Sequence, residues 1–108
     1  MNYKNLNELD LSHNQISNID VLGKVSFVKL EKLNLSFNQI SDINILEIVN
    51  FKELKELYLN RNLISDINIF GKVKFEKLEK LNLSQNNINI NNNNQIINLK
   101  PKLKTFKY

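Results

Sequence analysis

Asp10, Ser12 and His13 bring an acid, a hydroxyl and the chain's single histidine into one short stretch. Nucleophilic catalysis uses those three types together, and Asp10 with His13 is also a fragment of a metal site. The spacing supports neither chemistry. Neighbours along one strand rarely reach triad geometry, and a metal site wants three or four ligands. The chain has no cysteine, which removes thiolate ligands and disulfides. Gly23 and Gly71 stand alone, with no glycine-rich loop to cradle a phosphate. The expectation is a protein without catalytic residues, metal or cofactor.

Other side chains recur at a spacing that suggests recognition. His13, Phe37, Arg61 and Gln85 occupy equivalent positions, and so do Asp10, Asn34, Tyr58 and Asn82. Their types vary where the intervening framework does not. Aromatic rings and arginine are the types that anchor protein interfaces. These eight residues form the candidate partner-binding face. The competing reading is that Phe37 packs over a neighbour and Tyr58 simply suits a strand.

The elements that hold these residues are written in the repeat. Leu6, Leu30, Leu54 and Leu78 lie 24 residues apart, as do Leu9, Leu33, Leu57 and Leu81, and Leu11, Leu35, Leu59 and Leu83. Asn14, Asn38, Asn62 and Asn86 keep the same step, followed by Ile16, Ile40, Ile64 and Ile88. Leu9 and Leu11 alternate with polar residues as in a half-buried strand. Successive strands would pair in parallel, and the rest of each lap supplies the crossover that parallel pairing needs. Ile16, Ile19, Leu22, Val25 and Phe27, with their equivalents, should point inward from that return path. Asp20, Asn44 and Asn68 precede short apolar runs and are placed to cap a helical or 3-10 turn.

The unit L-x-x-L-x-L-x-x-N-x-I resembles the leucine-rich-repeat family over essentially the whole chain. The resemblance implies an α/β right-handed solenoid. It would carry a parallel β-sheet on the concave face and short helical or 3-10 turns on the convex face. It also implies an asparagine ladder, in which Asn14, Asn38, Asn62 and Asn86 bond backbone groups at the strand ends. The stretches Asn38–Ile43 and Asn62–Ile67 look like the class typified by a regulatory subunit of protein phosphatase 1, and like internalin-type bacterial surface proteins. The 24-residue unit departs from the usual 22 of that class. Residues 1–108 read as one domain with repeats 6–29, 30–53, 54–77 and 78–102. A partial repeat, 103–108, follows one inserted residue, with Leu103, Phe106 and Tyr108 in the leucine positions.

Charge is patterned on the repeat. Columns read Glu8, Lys32, Glu56, Lys80; then Asn7, Glu31, Lys55, Glu79, Lys104; then Lys29, Glu53, Lys77. Alternating signs should pair from lap to lap, at about 0.2–1 kcal/mol each, and would resist a slip by one repeat. The net charge of +4 sits in Lys100, Lys102, Lys104 and Lys107, while the remaining charges balance. Nucleic-acid binders spread a basic face along the domain, so nucleic acid is not the expected partner. No run of 18 apolar residues or signal-peptide pattern occurs, which implies no membrane span and favours a cytoplasmic setting. The sequons Asn34-Leu35-Ser36 and Asn82-Leu83-Ser84 would place sugars on the strand face, against a eukaryotic secreted context. The run Asn91–Asn94 reads as a solvated loop, and Lys100-Pro101-Lys102 as a break before the last strand. Absence of alanine with abundant Asn, Lys and Ile is the usage of an AT-rich genome.

The family resemblance implies a module that binds another protein through its concave face. The alternative is a structural piece of a larger array, self-associating end to end or edge to edge through ends that carry no evident cap.

Overall fold

A computed structural model describes residues 4–73, 75–89 and 103–108. Five short strands form one sheet in chain order: β1 (Glu8–Asp10), β2 (Lys32–Asn34), β3 (Glu56–Tyr58), β4 (Lys80–Asn82) and β5 (Thr105–Lys107). All neighbours are parallel. Leu9 pairs with Leu33, Leu33 with Leu57, Leu57 with Leu81, and Leu81 with Phe106. Each lap therefore lays its central leucine beside that of the lap before. The last step is one residue longer, as the sequence requires. The expectations for Asn91–Asn94 and Lys100–Lys102 lie outside the described residues.

The return paths carry 3-10 turns rather than α-helices, at Asp20–Gly23, Asn44–Glu47 and Asn68–Gly71. Four residues suffice to reverse the chain, and runs of 3-10 rarely extend further. Asp20, Asn44 and Asn68 do not cap these turns with their side chains, contrary to expectation; they are the first residues inside them. The capping oxygen comes from two residues earlier. Asn18 Oδ1 accepts from the Asp20 N–H at 2.8 Å, Asp42 from Asn44 at 2.9 Å and Asp66 from Asn68 at 2.9 Å. An oxygen two residues back reaches the first free N–H without distorting the turn.

The core lies between sheet and turns. Leu30, Leu33, Leu35, Ile40, Leu54, Leu57, Leu59, Ile64 and Ile67 are fully buried. Burial of one such side chain stabilises by about 1.5–3 kcal/mol. Ile19, Leu22, Phe27 and their equivalents point inward, with Val25, Val49 and Val73 partly covered. The rings of Phe27, Phe51 and Phe75 form a tilted column with centroids 6.0 and 6.2 Å apart. Leu6, Leu9 and Leu11 of the first lap are only partly buried. Gly23 leaves room for its neighbour: a Cβ there would meet Ile45 Cδ1 at 2.7 Å.

The asparagines close each strand end. Asn38 Nδ2 donates to Leu35 O at 3.0 Å, Ser36 O at 3.2 Å and, one lap back, Leu11 O at 3.1 Å; its Oδ1 accepts from Ile16 N–H at 3.0 Å. Asn62 repeats this with Leu59, Asn60, Leu35 and Ile40, and Asn86 with Leu83, Ser84, Leu59 and Ile64. Asn14 is exposed and, among the described residues, bonds within its own lap alone, at Leu11 O and Ser12 O.

The charge columns behave unequally. Lys55–Glu31 closes at 2.8 Å, Lys77–Glu53 at 2.6 Å and Lys104–Glu79 at 3.2 Å. Lys77 holds the Glu53 carboxyl below its ordinary range, and Glu31 holds the Lys55 ammonium above its own. These pairs are well exposed, so solvent screens them and each contributes little. In the Glu8, Lys32, Glu56, Lys80 column the expected lap-to-lap pairing gives way to Tyr58. Its hydroxyl bonds Glu56, and Lys32 lies over its ring.

Asn38→Ala and Asn62→Ala strand buried carbonyl and N–H groups in two laps at once. Each should cost about 1–3 kcal/mol and lower Tm by several degrees or more. Asn14→Ala should cost clearly less. Thermal melts of the three variants check this; equal losses would contradict it.

Candidate functional site

The strand face is built from the solvent-facing positions of β1 to β4 and the residues just after them. Asp10, Asn34 and Asn82 each turn one oxygen back on their own lap. Asp10 Oδ1 accepts from Ser12 N–H at 2.9 Å and from its hydroxyl at 2.5 Å. Asn34 takes the same two groups of Ser36 at 3.0 and 2.6 Å, and Asn82 those of Ser84 at 3.1 and 2.7 Å. These are Asx turns, which steer the chain out of the strand. Three of the eight expected contact residues are therefore also parts of the framework. The two Ser12 bonds hold the Asp10 carboxyl below its ordinary range.

Lap three departs, with Tyr58 in the Asx position. The Tyr58 hydroxyl donates to Glu56 Oε1 at 2.5 Å. That bond, with some burial and the Glu56 charge, pushes its pKa up to about 12. Lys32 Nζ stands 5.7 Å from the ring centroid, a cation–π distance.

The next column is held by an unusual backbone. His13, Phe37, Arg61 and Gln85 have φ of 58°, 57°, 59° and 59°. None is a glycine, and the left-handed region costs such a residue about 1–2 kcal/mol. Backbone bonds clamp the geometry: His13 N–H donates to Ser36 O at 3.1 Å, Phe37 to Asn60 O at 3.0 Å and Arg61 to Ser84 O at 2.9 Å. The left-handed residue turns the following asparagine inward and its own side chain outward. His13 stacks on Phe37 with centroids 4.2 Å apart and planes 17° from parallel. Arg61 Cζ lies 5.5 Å from the centroid of the Phe37 ring. Phe37 remains 40% exposed.

Sequence reasoning found this column by its variability but not its backbone. Neither glycine nor asparagine stands there to announce a positive φ. The fixed place before each ladder asparagine was the available signal.

The Asp10, Ser12, His13 set does not form a relay. The Ser12 hydroxyl is spent on Asp10, and the His13 ring lies on Phe37. Among the described residues no group of three His, Asp or Glu side chains converges as a metal would require, and no helix is long and apolar enough to cross a membrane.

Two family models match the chain: leucine-rich repeats in two copies over residues 4–48, and leucine-rich repeat over residues 28–88. The chain belongs to the leucine-rich-repeat family. Solved structures of similar shape include internalins of Listeria monocytogenes strain 4b F2365. An internalin (inlF) superposes with a TM-score of 0.76 at 28% identity, covering 96% of this chain and 28% of that one. Internalin C2 gives 0.70 at 31% identity, covering 89% of this chain and 39% of its own. The repeat chain thus spans about a third of the length of these internalins. No curated protein matches it. Its repeats are those of a protein-interaction module.

Tyr58 should ionise only at a pH of about 12. Tyrosinate absorbance should lose that step in Tyr58→Phe; an unchanged titration curve would refute the Glu56 bond. Gln85→Val places a β-branched residue in the left-handed region and should cost about 1 kcal/mol or more. Gln85→Asn should be neutral or stabilising in the same denaturant melt, and the opposite order would remove the backbone argument.

Proposed function

We propose that the chain binds a protein partner on its strand face, centred on His13, Phe37 and Arg61, with Tyr58 and Gln85 beside them. Asp10, Asn34 and Asn82 border the face and present their remaining polar capacity to the partner. The supporting observation is a stacked column of exposed rings and a guanidinium on backbone that opposes such residues. Strained positions persist where the surroundings over-determine them, and they cluster at functional sites. The column is also cheap to order: its side chains are already stacked, so docking loses little conformational freedom.

The opposite side of the lap is the natural control. Val21 and Ile48 are exposed apolar residues of that side, 63% and 67% accessible. They stand apart from the rings and cations that mark anchors. Affinity capture from the cells that make this protein, with Phe37→Ala plus Arg61→Ala against wild type, is the test. The double variant should keep its melting profile and weaken partner binding by about a hundredfold. Val21→Ser plus Ile48→Ser should bind as wild type. Capture lost only in the second pair would move the interface to the other side.

A further inference from the structure

Charge is not spread evenly over the strand face. The first lap presents Glu8 and Asp10, both exposed. In the middle, Glu56 is bonded by the Tyr58 hydroxyl and Lys32 lies over the Tyr58 ring. Beyond them come Lys80 on β4 and Lys107 on β5, also exposed, and neither is ion-paired with a described residue. A hollow of about 220 Å³ opens between β3, β4 and β5. Tyr58, Lys80, Asn82, Thr105 and Lys107 line it above Leu81. Strand register brings its parts together: Lys80 stands opposite Thr105, and Asn82 between Tyr58 and Lys107.

We infer that this hollow receives an acidic side chain, an Asp or Glu carboxylate, of the partner's contacting peptide segment. The inference rests on the binding face proposed above and adds the partner's chemistry to it. The two ammonium groups supply the charge, with Thr105 and the Asn82 amide as neutral donors beside them. The Tyr58 ring makes an apolar wall for the methylenes that carry the carboxylate. A carboxylate bonded by cations in a partly enclosed site gains more than one on an open surface. The Phe37 stack takes the segment's apolar residue, two laps from the hollow. Glu8 and Asp10 at the far end repel an acid there, so the segment runs across the strands in one direction. Complementary charges across an interface fix such a register and speed association.

Selection of a phage-displayed library of random peptides on the immobilised protein tests this. Enriched peptides should carry an acid in sequence reach of an aromatic or aliphatic residue. Their affinity should fall by about tenfold or more in Lys80→Glu plus Lys107→Glu, and by less in Lys80→Gln plus Lys107→Gln. It should also fall with added salt, as rim charges are screened. Lys24→Glu plus Lys72→Glu, on the return paths, should change nothing comparable. A melting profile for each variant separates lost binding from lost fold. Peptides that need Phe37 but ignore Lys80 and Lys107 would overturn the carboxylate and leave the binding face intact. Peptides indifferent to both Phe37 and the two lysines, or none enriched, would overturn both. Tighter binding of a random oligodeoxynucleotide than of any selected peptide, through the same lysines, would also overturn it.

Discussion

A buried backbone group must find a partner, and a strand three residues long finds few. The chain leaves each strand with the carbonyls of Leu11, Leu35 and Leu59 still turned inward, and the N–H groups of Ile16, Ile40 and Ile64 arriving without a ladder partner. One asparagine amide answers both. Asn38, Asn62 and Asn86 each donate to their own lap and the lap before, and each accepts from the lap before. No other side chain of that size offers two donors and an acceptor in one plane. To aim that amide inward the preceding residue must turn left-handed. The outward column of His13, Phe37, Arg61 and Gln85 follows from the same constraint that holds the laps together.

Translation by one lap then decides what meets what. Adjacent strands lie roughly 4.8 Å apart, close to the separation of stacked rings. His13 and Phe37 meet at 4.2 Å on the outside, while Phe27, Phe51 and Phe75 follow at 6.0 and 6.2 Å within. Inside, like residues in a column are favourable, because apolar surfaces bury each other. Outside, like charges would repel, and three columns alternate in sign. Magnitudes separate the two effects. A fully buried leucine is worth about 1.5–3 kcal/mol and an exposed ion pair about 0–1. The leucines make the solenoid stable, and the charges favour one register over a slipped one.

The same translation makes a broad, continuous face rather than a deep catalytic cleft. Such a face suits recognition of a chain laid across several strands. It does not suit catalysis, which needs donors and acceptors aimed at one point. Asp10, Ser12 and His13 show the difference. Close in sequence, they still form no relay: the Asx turn ties the Ser12 hydroxyl to Asp10, and the stack holds the His13 ring on Phe37. The leucine-rich-repeat family uses this geometry for interaction, and the internalins of similar shape share it over the part that this chain matches.

The repeat step, the parallel register, the inward leucines and the asparagine positions were legible in the sequence. They depend on periodicity, and four copies in register state a period beyond ambiguity. The eight candidate contact residues were legible as variable positions on one face. What they do there was not. Asp10, Asn34 and Asn82 look like free polar groups until Ser12, Ser36 and Ser84 are seen to occupy them. The cap of the 3-10 turn belongs to Asn18, Asp42 and Asp66, because a two-residue reach matters there and the first polar residue before an apolar run does not. Tyr58 diverts Glu56 and Lys32 from the ladder that alternating signs suggest. Positive φ at Phe37 and Arg61 is imposed by bonds to Asn60 and Ser84 of the next lap, which local propensity opposes. Sequence alone determined what depends on residues one repeat apart, since the repeat itself supplies their neighbours. Tertiary structure decided every choice between competing partners, because such a choice turns on distances of a few tenths of an ångström that no period encodes.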